Sequence, residues 1–424
     1  MTLSELSPKQ KTVLKWAFMP STRDKYKAII CDGAVRSGKT VCMLTAFILW
    51  AMRNFNGQNF GICGKTVASA ERNIVRPAQE QADLQAYFSL TYRRADHVLM
   101  VRGLGRENRF YIFGGKDESS YALIQGITLA GVLFDEVALM PRSFVDQAIA
   151  RTLSEPQAKL WFNCNPEGPG HWFYQEWVRE GQPEKHDALH IHFLMGDNPT
   201  MTPEQLAKAE TMYQGVFRDR YILGLWVAAE GRIYDMFSET RNVVDTLPDL
   251  AGDCYVSCDY GTQNPTVFLL WRRVRGAERW VCVREYYYSG RDKRRQKTDS
   301  EFADDLKRWL GEDKPRAIVV DPSAASFIAE LQQRGWAVQG ADNDVLDGIR
   351  VTAHRIGAGE LLFSRDCTHT LEEFQAYVWD EKAGQQGLDK PVKANDHCMD
   401  AMRYFSRTIL GRQVVAARRR PKGL

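Results

Sequence analysis

The sequence predicts an α/β protein of two unlike halves, each built on a sheet flanked by helices, and three features carry that reading. An apolar strand near residues 27–31 runs into the glycine loop "GAVRSGKT" (33–40) and then into the apolar stretch "VCMLTAFILWAM" (41–52). Two further apolar runs in the first half end on polar groups, "GVLFDE" (131–136) and "KLWFNCN" (159–165). The second half does the same at different spacing: "CYVSCDYG" (254–261), "AIVVDP" (317–322) and a closing amphipathic stretch, "NDHCMDAMRYF" (395–405). Strands alternating with helical segments point to mostly parallel sheets with chemistry at the strand ends.

At 424 residues the chain exceeds one ordinary core and calls for more than one domain. Nine cysteines are scattered, without a Cys-x-x-Cys pair, which argues against a disulfide scaffold or zinc finger and for a reducing cytosol. The N-terminus "MTLSELSPKQ" lacks the apolar region of a signal peptide, and the longest apolar run is too short to span a bilayer. The expectation is a cytosolic protein with no membrane partner. Net charge is only +3, but "RDKRRQK" (291–297) and the tail "AARRRPKGL" (416–424) concentrate positive charge that suits phosphate backbones.

The loop Gly33–Thr40 has the Gly-x-x-x-x-Gly-Lys-Thr spacing that cradles nucleotide phosphates. Gly33 and Gly38 let the backbone approach phosphate closely, with the amides of the Ser37 and Gly38 turn pointing inward. Lys39 would meet the β- and γ-phosphates, and Thr40 would offer a hydroxyl to Mg²⁺. Arg36 either reaches the γ-phosphate as an internal arginine finger or faces solvent. "GKTVASAERN" (64–73) resembles a second such loop, but position 59 is Asn rather than Gly; a strand followed by a Thr- or Ser-capped helix is expected instead.

A phosphate loop needs a second metal anchor and a group that activates water. Val132–Phe134 form a short strand that delivers Asp135 and Glu136 to the sheet edge, Asp135 for Mg²⁺ and Glu136 as the base that orients water. Asn165, just past the next strand, is placed to sense the γ-phosphate. Residues 1–230 thus read as a P-loop ATPase domain using ATP with Mg²⁺, with a mainly helical lid or linker around 182–235.

The second domain is expected over residues 245–410. Asp259 ends the first strand of a β-meander, Asp321 ends a later strand, and Asp400 lies on the closing helix, with His397 and Asp396 a turn away. Three acids in that order are the arrangement of ribonuclease-H-like nucleases, which use two divalent ions, Mg²⁺ or Mn²⁺. Asp259 is the expected bridging ligand, Asp321 and Asp400 each hold one ion, and His397 or Asp396 completes a shell. Asp396 could equally cap its helix. Residues 411–424 form a basic tail.

"GAVRSGKT", "VLFDE", "FNCNPEGPGHWFY", "GLWVAAEGRIYDMF", "CDYGTQNPT", "VVDPSAASFI" and "DHCMDAMRYF" occur in the order found in the large terminase subunits of tailed bacteriophages, which the chain resembles over nearly its whole length. The resemblance implies an ATPase that drives double-stranded DNA into a procapsid and a metal-dependent endonuclease that cuts concatemeric genomes. It implies a portal protein and a small terminase subunit as partners, a ring of five subunits on the portal, and a location in the host cytoplasm at the procapsid portal vertex. It places Lys39, Thr40, Asp135 and Glu136 in ATP hydrolysis, Asn165 in coupling, Asp259, Asp321 and Asp400 in the nuclease, His397 as a further ligand, and Gln10 as a candidate adenine contact. Cys164 departs from the small hydroxyl residues common at its position. A helicase-like ATPase–nuclease of DNA repair or recombination, and an ATP-dependent clamp whose acids are only caps and surface groups, are the rival readings.

Overall fold

The computed structural model describes residues 6–261 and 264–411. By contact density the chain divides into two compact units. The first comprises residues up to Glu210 with Arg218–Ala228 and Gln385–Leu388. The second comprises Thr211–Phe217, Ala229–Gly384 and the chain from Asp389 onwards. The basic tail 412–424 lies outside the described residues.

The first unit is built on eight strands: β1 (Ala28–Gly33), β2 (Asn59–Gly64), β3 (Ser89–Arg93), β4 (Val98–Gly103), β5 (Arg106–Gly114), β6 (Gly131–Asp135), β7 (Lys159–Asn163) and β8 (Ala188–Phe193). Their order is β3-β4-β5-β2-β6-β7-β1-β8; β3-β4-β5 form an antiparallel extension and all other neighbours are parallel. Strands β1 and β6 are buried throughout, as continuous apolar runs require when helices cover both faces. Within 182–235, where the sequence predicts mainly helical and irregular structure, β8 is a strand. Its His190 and His192 interrupt the apolar pattern, yet it pairs with β1 along its full length.

The apolar stretch after the glycine loop is a helix, Lys39–Asn54. Phe47 and Trp50 on this helix pack against Phe60 of β2, and Phe47 also meets Phe110 of β5 and Trp161 of β7 edge-on. Truncating such a buried ring costs about 3–5 kcal/mol. This aromatic cluster therefore fixes the helix, and with it the loop, on the sheet. At the second glycine-lysine pair, Thr66 caps a short helix by accepting from the Ser69 amide at 3.0 Å, as expected for a capped turn.

The second unit holds β9 (Val243–Val244), β10 (Leu250–Asp259), β11 (Thr266–Val274), β12 (Trp280–Tyr288), β13 (Ile318–Val320), β14 (Val338–Gly340) and β15 (Leu361–Ser364), ordered β14-β13-β10-β11-β12-β15-β9. β10, β11 and β12 form the antiparallel meander, while β13 and then β14 add in parallel on the other side of β10. That order, with β10, the first strand of the meander, between β11 and β13, is the ribonuclease-H-like one. The closing helix His397–Phe405 is anchored by Phe405, whose ring stacks on Trp271 of β11 at 4.5 Å; Trp271 in turn donates to the Ser257 hydroxyl of β10 at 2.9 Å. All nine cysteines are buried and free. No described helix is long and apolar enough to cross a membrane.

Candidate active sites

In the first unit, sheet register sets the geometry. Cys31 of β1, Asn163 of β7 and Asp135 of β6 lie level across three adjacent parallel strands. The loop leaving β1 therefore faces the polar ends of β7 and β6. Gly33 and Gly38 have φ of +117° and +83°. A Cβ on Gly33 would fall 2.0 Å from the Phe193 carbonyl oxygen, so only glycine fits where the loop turns over β8.

Lys39 is buried, and its Nζ donates to the carbonyl oxygens of Ala34 (2.6 Å) and Gly33 (3.0 Å), to the Ser37 hydroxyl (3.3 Å) and to Asn165 Oδ1 (3.1 Å). The loop is thus wrapped round its own ammonium group. Thr40 Oγ1 donates to Asp135 Oδ1 at 3.2 Å, and Asn163 Nδ2 donates to both, at 2.8 Å to the hydroxyl and 2.6 Å to the carboxylate. Burial and then the neighbouring Glu136 push the Asp135 carboxyl up to about 6. Two acids side by side in a buried setting call for a cation, and a hydroxyl beside a carboxylate suits Mg²⁺, which takes a few oxygen ligands along with phosphates. Burial also raises the half-buried Glu136, whose φ of +59° is uncommon for a residue with a side chain.

Arg36 sits exposed at the crest of the loop with φ +57°, and among the described residues it has no ion pair; its carbonyl accepts from Asn198 Nδ2 at 2.8 Å. Gln10 is buried against the loop, with Nε2 3.5 Å from the Ser37 carbonyl oxygen. Two contacts go beyond what the sequence predicts. The strand-tip amide that touches Thr40 and Asp135 is Asn163, whereas Asn165 touches Lys39. Asp32, immediately before Gly33, is buried and accepts from His190 (2.8 Å), His192 (3.0 Å) and Trp226 (2.7 Å). Only the pairing of β8 with β1 reveals that cluster, and the sequence gives no clear sign of β8.

In the second unit, Cys258 of β10 pairs with Val320 of β13, so Asp259 and Asp321 leave adjacent strands side by side. His397 Nδ1 and Asp259 Oδ2 are 2.8 Å apart, and the Tyr404 hydroxyl donates to Asp321 Oδ2 at 2.9 Å. The closing helix thus touches both acids. Arg403 donates to Asp400 at 2.9 Å, and Lys393 Nζ lies 3.3 Å from both Asp396 and Asp400. Asp259, Asp396, His397 and Asp400 border one cavity of about 460 Å³; Asp321 stands outside its lining. Burial raises the Asp259 carboxyl, opposed by its bond to His397 and reinforced by the nearby Asp400.

The donors, four carboxylates and one imidazole, have the chemistry of a hard divalent-ion site. As they stand, no three His, Cys, Asp or Glu side chains among the described residues converge to hold one ion. Lys393 and Arg403 hold Asp396 and Asp400, while Tyr404, Asn343 and the Ser323 amide hold Asp321. Asp396 does not cap the helix with its side chain. That task falls to Glu373, whose Oε2 accepts from the amides of Cys398 (2.7 Å) and Met399 (3.2 Å). No local pattern in the sequence marks Glu373.

Residues 30–241 match the family model described as terminase large subunit, T4likevirus-type, N-terminal. The chain is similar to the large terminase of a thermophilic bacteriophage, at 50% identity and TM-score 0.89, over 96% of this chain and 99% of that one. A structure of the same phage protein in complex with ATP-gamma-S aligns at 48% identity and TM-score 0.86, again over 96% of this chain and 99% of the other. A terminase large subunit of Escherichia phage T5 is 27% identical over 292 residues, a stretch that spans 64% of this chain and 64% of the T5 protein.

Proposed function

The chain belongs to the bacteriophage terminase large subunits, and from that premise we propose that it hydrolyses ATP to move double-stranded viral DNA into a procapsid and cuts that DNA with a second, metal-dependent site. One observation carries this reading. A single chain sets Lys39, Thr40, Asp135 and Asn163 together at parallel strand ends, and separately gathers Asp259, Asp396, His397 and Asp400 round one cavity.

In the first unit ATP would lie over the glycine loop, with Gln10 a candidate for the adenine side. Lys39, now bonded to loop carbonyls, is the cation to meet the β- and γ-phosphates. Mg²⁺, held by the Thr40 hydroxyl and the Asp135 carboxylate, would offset phosphate charge when bound. Glu136 would orient the attacking water and take its proton. Asn165 bonds to Lys39, so a change at the phosphates would reach the loop after β7 directly. That contact supports the coupling role. The exposed Arg36 is available to a γ-phosphate only if its side chain folds back over the loop, and a neighbouring subunit could supply that charge instead.

In the second unit Asp259, Asp321 and Asp400, with His397 or Asp396, would hold two divalent ions. Such ions supply Lewis acidity to a phosphodiester and lower the pKa of water. His397 orients Asp259, and Arg403 fixes Asp400 on the closing helix. The partners that fit are duplex DNA, a small terminase subunit and a portal protein, with a ring of five on the portal.

The test mixes the purified chain with portal-bearing procapsids and linear duplex DNA. Nuclease-protected DNA should accumulate with ATP and not with a non-hydrolysable analogue. ATP-dependent strand separation without protected DNA would instead select the helicase-like reading.

A further inference from the structure

We propose that the loop Ser289–Lys297 is the seat for the phosphate backbone of duplex DNA at the mouth of the cavity in the second unit, with Arg291, Lys293 and Arg294 as its contacts; this rests on the nuclease reading of that cavity.

The loop joins β12 to the helix Asp299–Leu310 and has a folded backbone. The amides of Lys293 and Arg295 donate to the carbonyl oxygens of Ser289 (3.0 Å) and Gly290 (3.1 Å), and the Tyr288 hydroxyl donates to the Arg295 carbonyl oxygen at 2.8 Å. It carries five cations, and they divide into two groups. Arg295 pairs with Glu301, while Lys297 pairs with Asp305 and lies 4.1 Å from the centre of the Tyr288 ring. Those two hold the loop to its helix. Arg291, Lys293 and Arg294 are exposed and, among the described residues, have no ion pair; Arg294 takes a left-handed φ of +52°.

Position gives Arg291 its meaning, and Lys293 and Arg294 follow it within three residues on the same loop. Arg291 lines the same cavity as Asp259, Asp396, His397 and Asp400, together with a single loop carboxylate, Asp292. An acidic floor repels a polyanion, and bound divalent ions would offset charge only at the floor. Cations on the rim can hold the phosphates that flank a scissile bond, and they do so without reading bases. Guanidinium groups suit this because their fork matches phosphate oxygens. An acidic peptide would satisfy the same charges but would bring no phosphodiester to the carboxylate cluster below them.

The experiment compares the full chain with R291Q/K293Q/R294Q and with R291K/R294K. Equilibrium binding of a short duplex in EDTA, across a salt series, reads the loop without requiring cleavage. Metal-dependent cleavage of plasmid, with DNA concentration varied, reads the cavity. The triple variant should bind roughly 10- to 100-fold more weakly near physiological salt, and its slope of log affinity against log salt should fall by about 3. Its half-saturating DNA concentration should rise in step, and R291K/R294K, which keeps the charges but not the fork, should keep the parent's salt slope while binding a few-fold more weakly. Unchanged affinity and salt slope in a folded triple variant would overturn the assignment. A parent that never cuts DNA, with binding that still weakens in the triple variant, would instead overturn the nuclease reading and leave the loop as a seat for phosphate without that chemistry beneath it.

Discussion

Glu373 and Cys398 are joined by a 2.7 Å hydrogen bond from the Cys398 amide to Glu373 Oε2, and through it a residue on a different helix caps the helix that carries Asp396, His397 and Asp400. With its amides capped from outside, that helix leaves the Asp396 side chain free to face the cavity and Lys393. Replacing Glu373 with Ala removes the cap and strands buried amides, at a cost of about 2 kcal/mol. Thermal melts should show that loss, and Mn²⁺ titration of cleavage should show a higher half-saturating concentration. Glu373→Gln retains an oxygen acceptor and should stay near the parent in both. Equal damage from Gln and Ala would show that charge, not capping, is what the site needs.

Lys393 bridges Asp396 and Asp400 as an internal cation and competes for the oxygens that a divalent ion would take. Lys393→Met removes that competitor. Calorimetric titration of Mn²⁺ into the full chain should find tighter binding in the variant, by roughly 10-fold if one direct ion-pair contact is relieved. Weaker binding would mean that Lys393 supports the ion site rather than opposing it.

For ATP hydrolysis, Glu136→Gln keeps shape and hydrogen bonding but cannot accept the proton from water. Turnover should fall by about 10²- to 10⁴-fold while ATP binding persists. Steady-state phosphate release and fluorescent-nucleotide binding separate the two effects. Full activity in the variant would move the base elsewhere.

Asp32 gives a pH signature. Burial alone would raise its carboxyl, but the bonds from His190 and His192 outweigh burial and hold it below the usual carboxylate range. The folded value lies under the unfolded value of about 3.9, so this stabilisation is complete above that pH and is lost as pH falls through the folded value. Asp32→Asn should cost about 3 kcal/mol near neutral pH, and its deficit against the parent should shrink as pH falls below about 4. Urea midpoints measured across that range check it; a deficit independent of pH would refute the assignment.

The elements proposed to bind phosphate are legible in the sequence because their chemistry is local. Gly33 through Thr40 must follow one another, and Asp135 and Glu136 must end an apolar strand. Likewise Asp259, Asp321 and Asp400 can be found as acids at element ends, because strand and helix periods are written in the sequence. What is not legible depends on which strands become neighbours. Asn163 reaches Thr40 and Asp135 because β7 lies between β1 and β6. Asp32 finds His190 and His192 only because β8 adds beside β1, and the alternation of β8 is masked by those same histidines. Glu373 lies 25 residues from the amide it caps. Asp396 reads equally as an ion ligand and as a helix cap, because Asp at that position commonly is a cap; the remote carboxylate takes the capping place.

The proposed function needs two separate sites on one chain, one for a nucleoside triphosphate and one for divalent ions, and the most direct measurement is Mn²⁺-dependent plasmid cleavage by full-length Asp259→Ala, read alongside ATP hydrolysis by the same protein. Cleavage should vanish while ATP turnover stays within about twofold of the parent, a change far smaller than the loss expected from removing a direct participant. Undiminished cleavage by this variant, with the parent cutting under the same conditions, would contradict it.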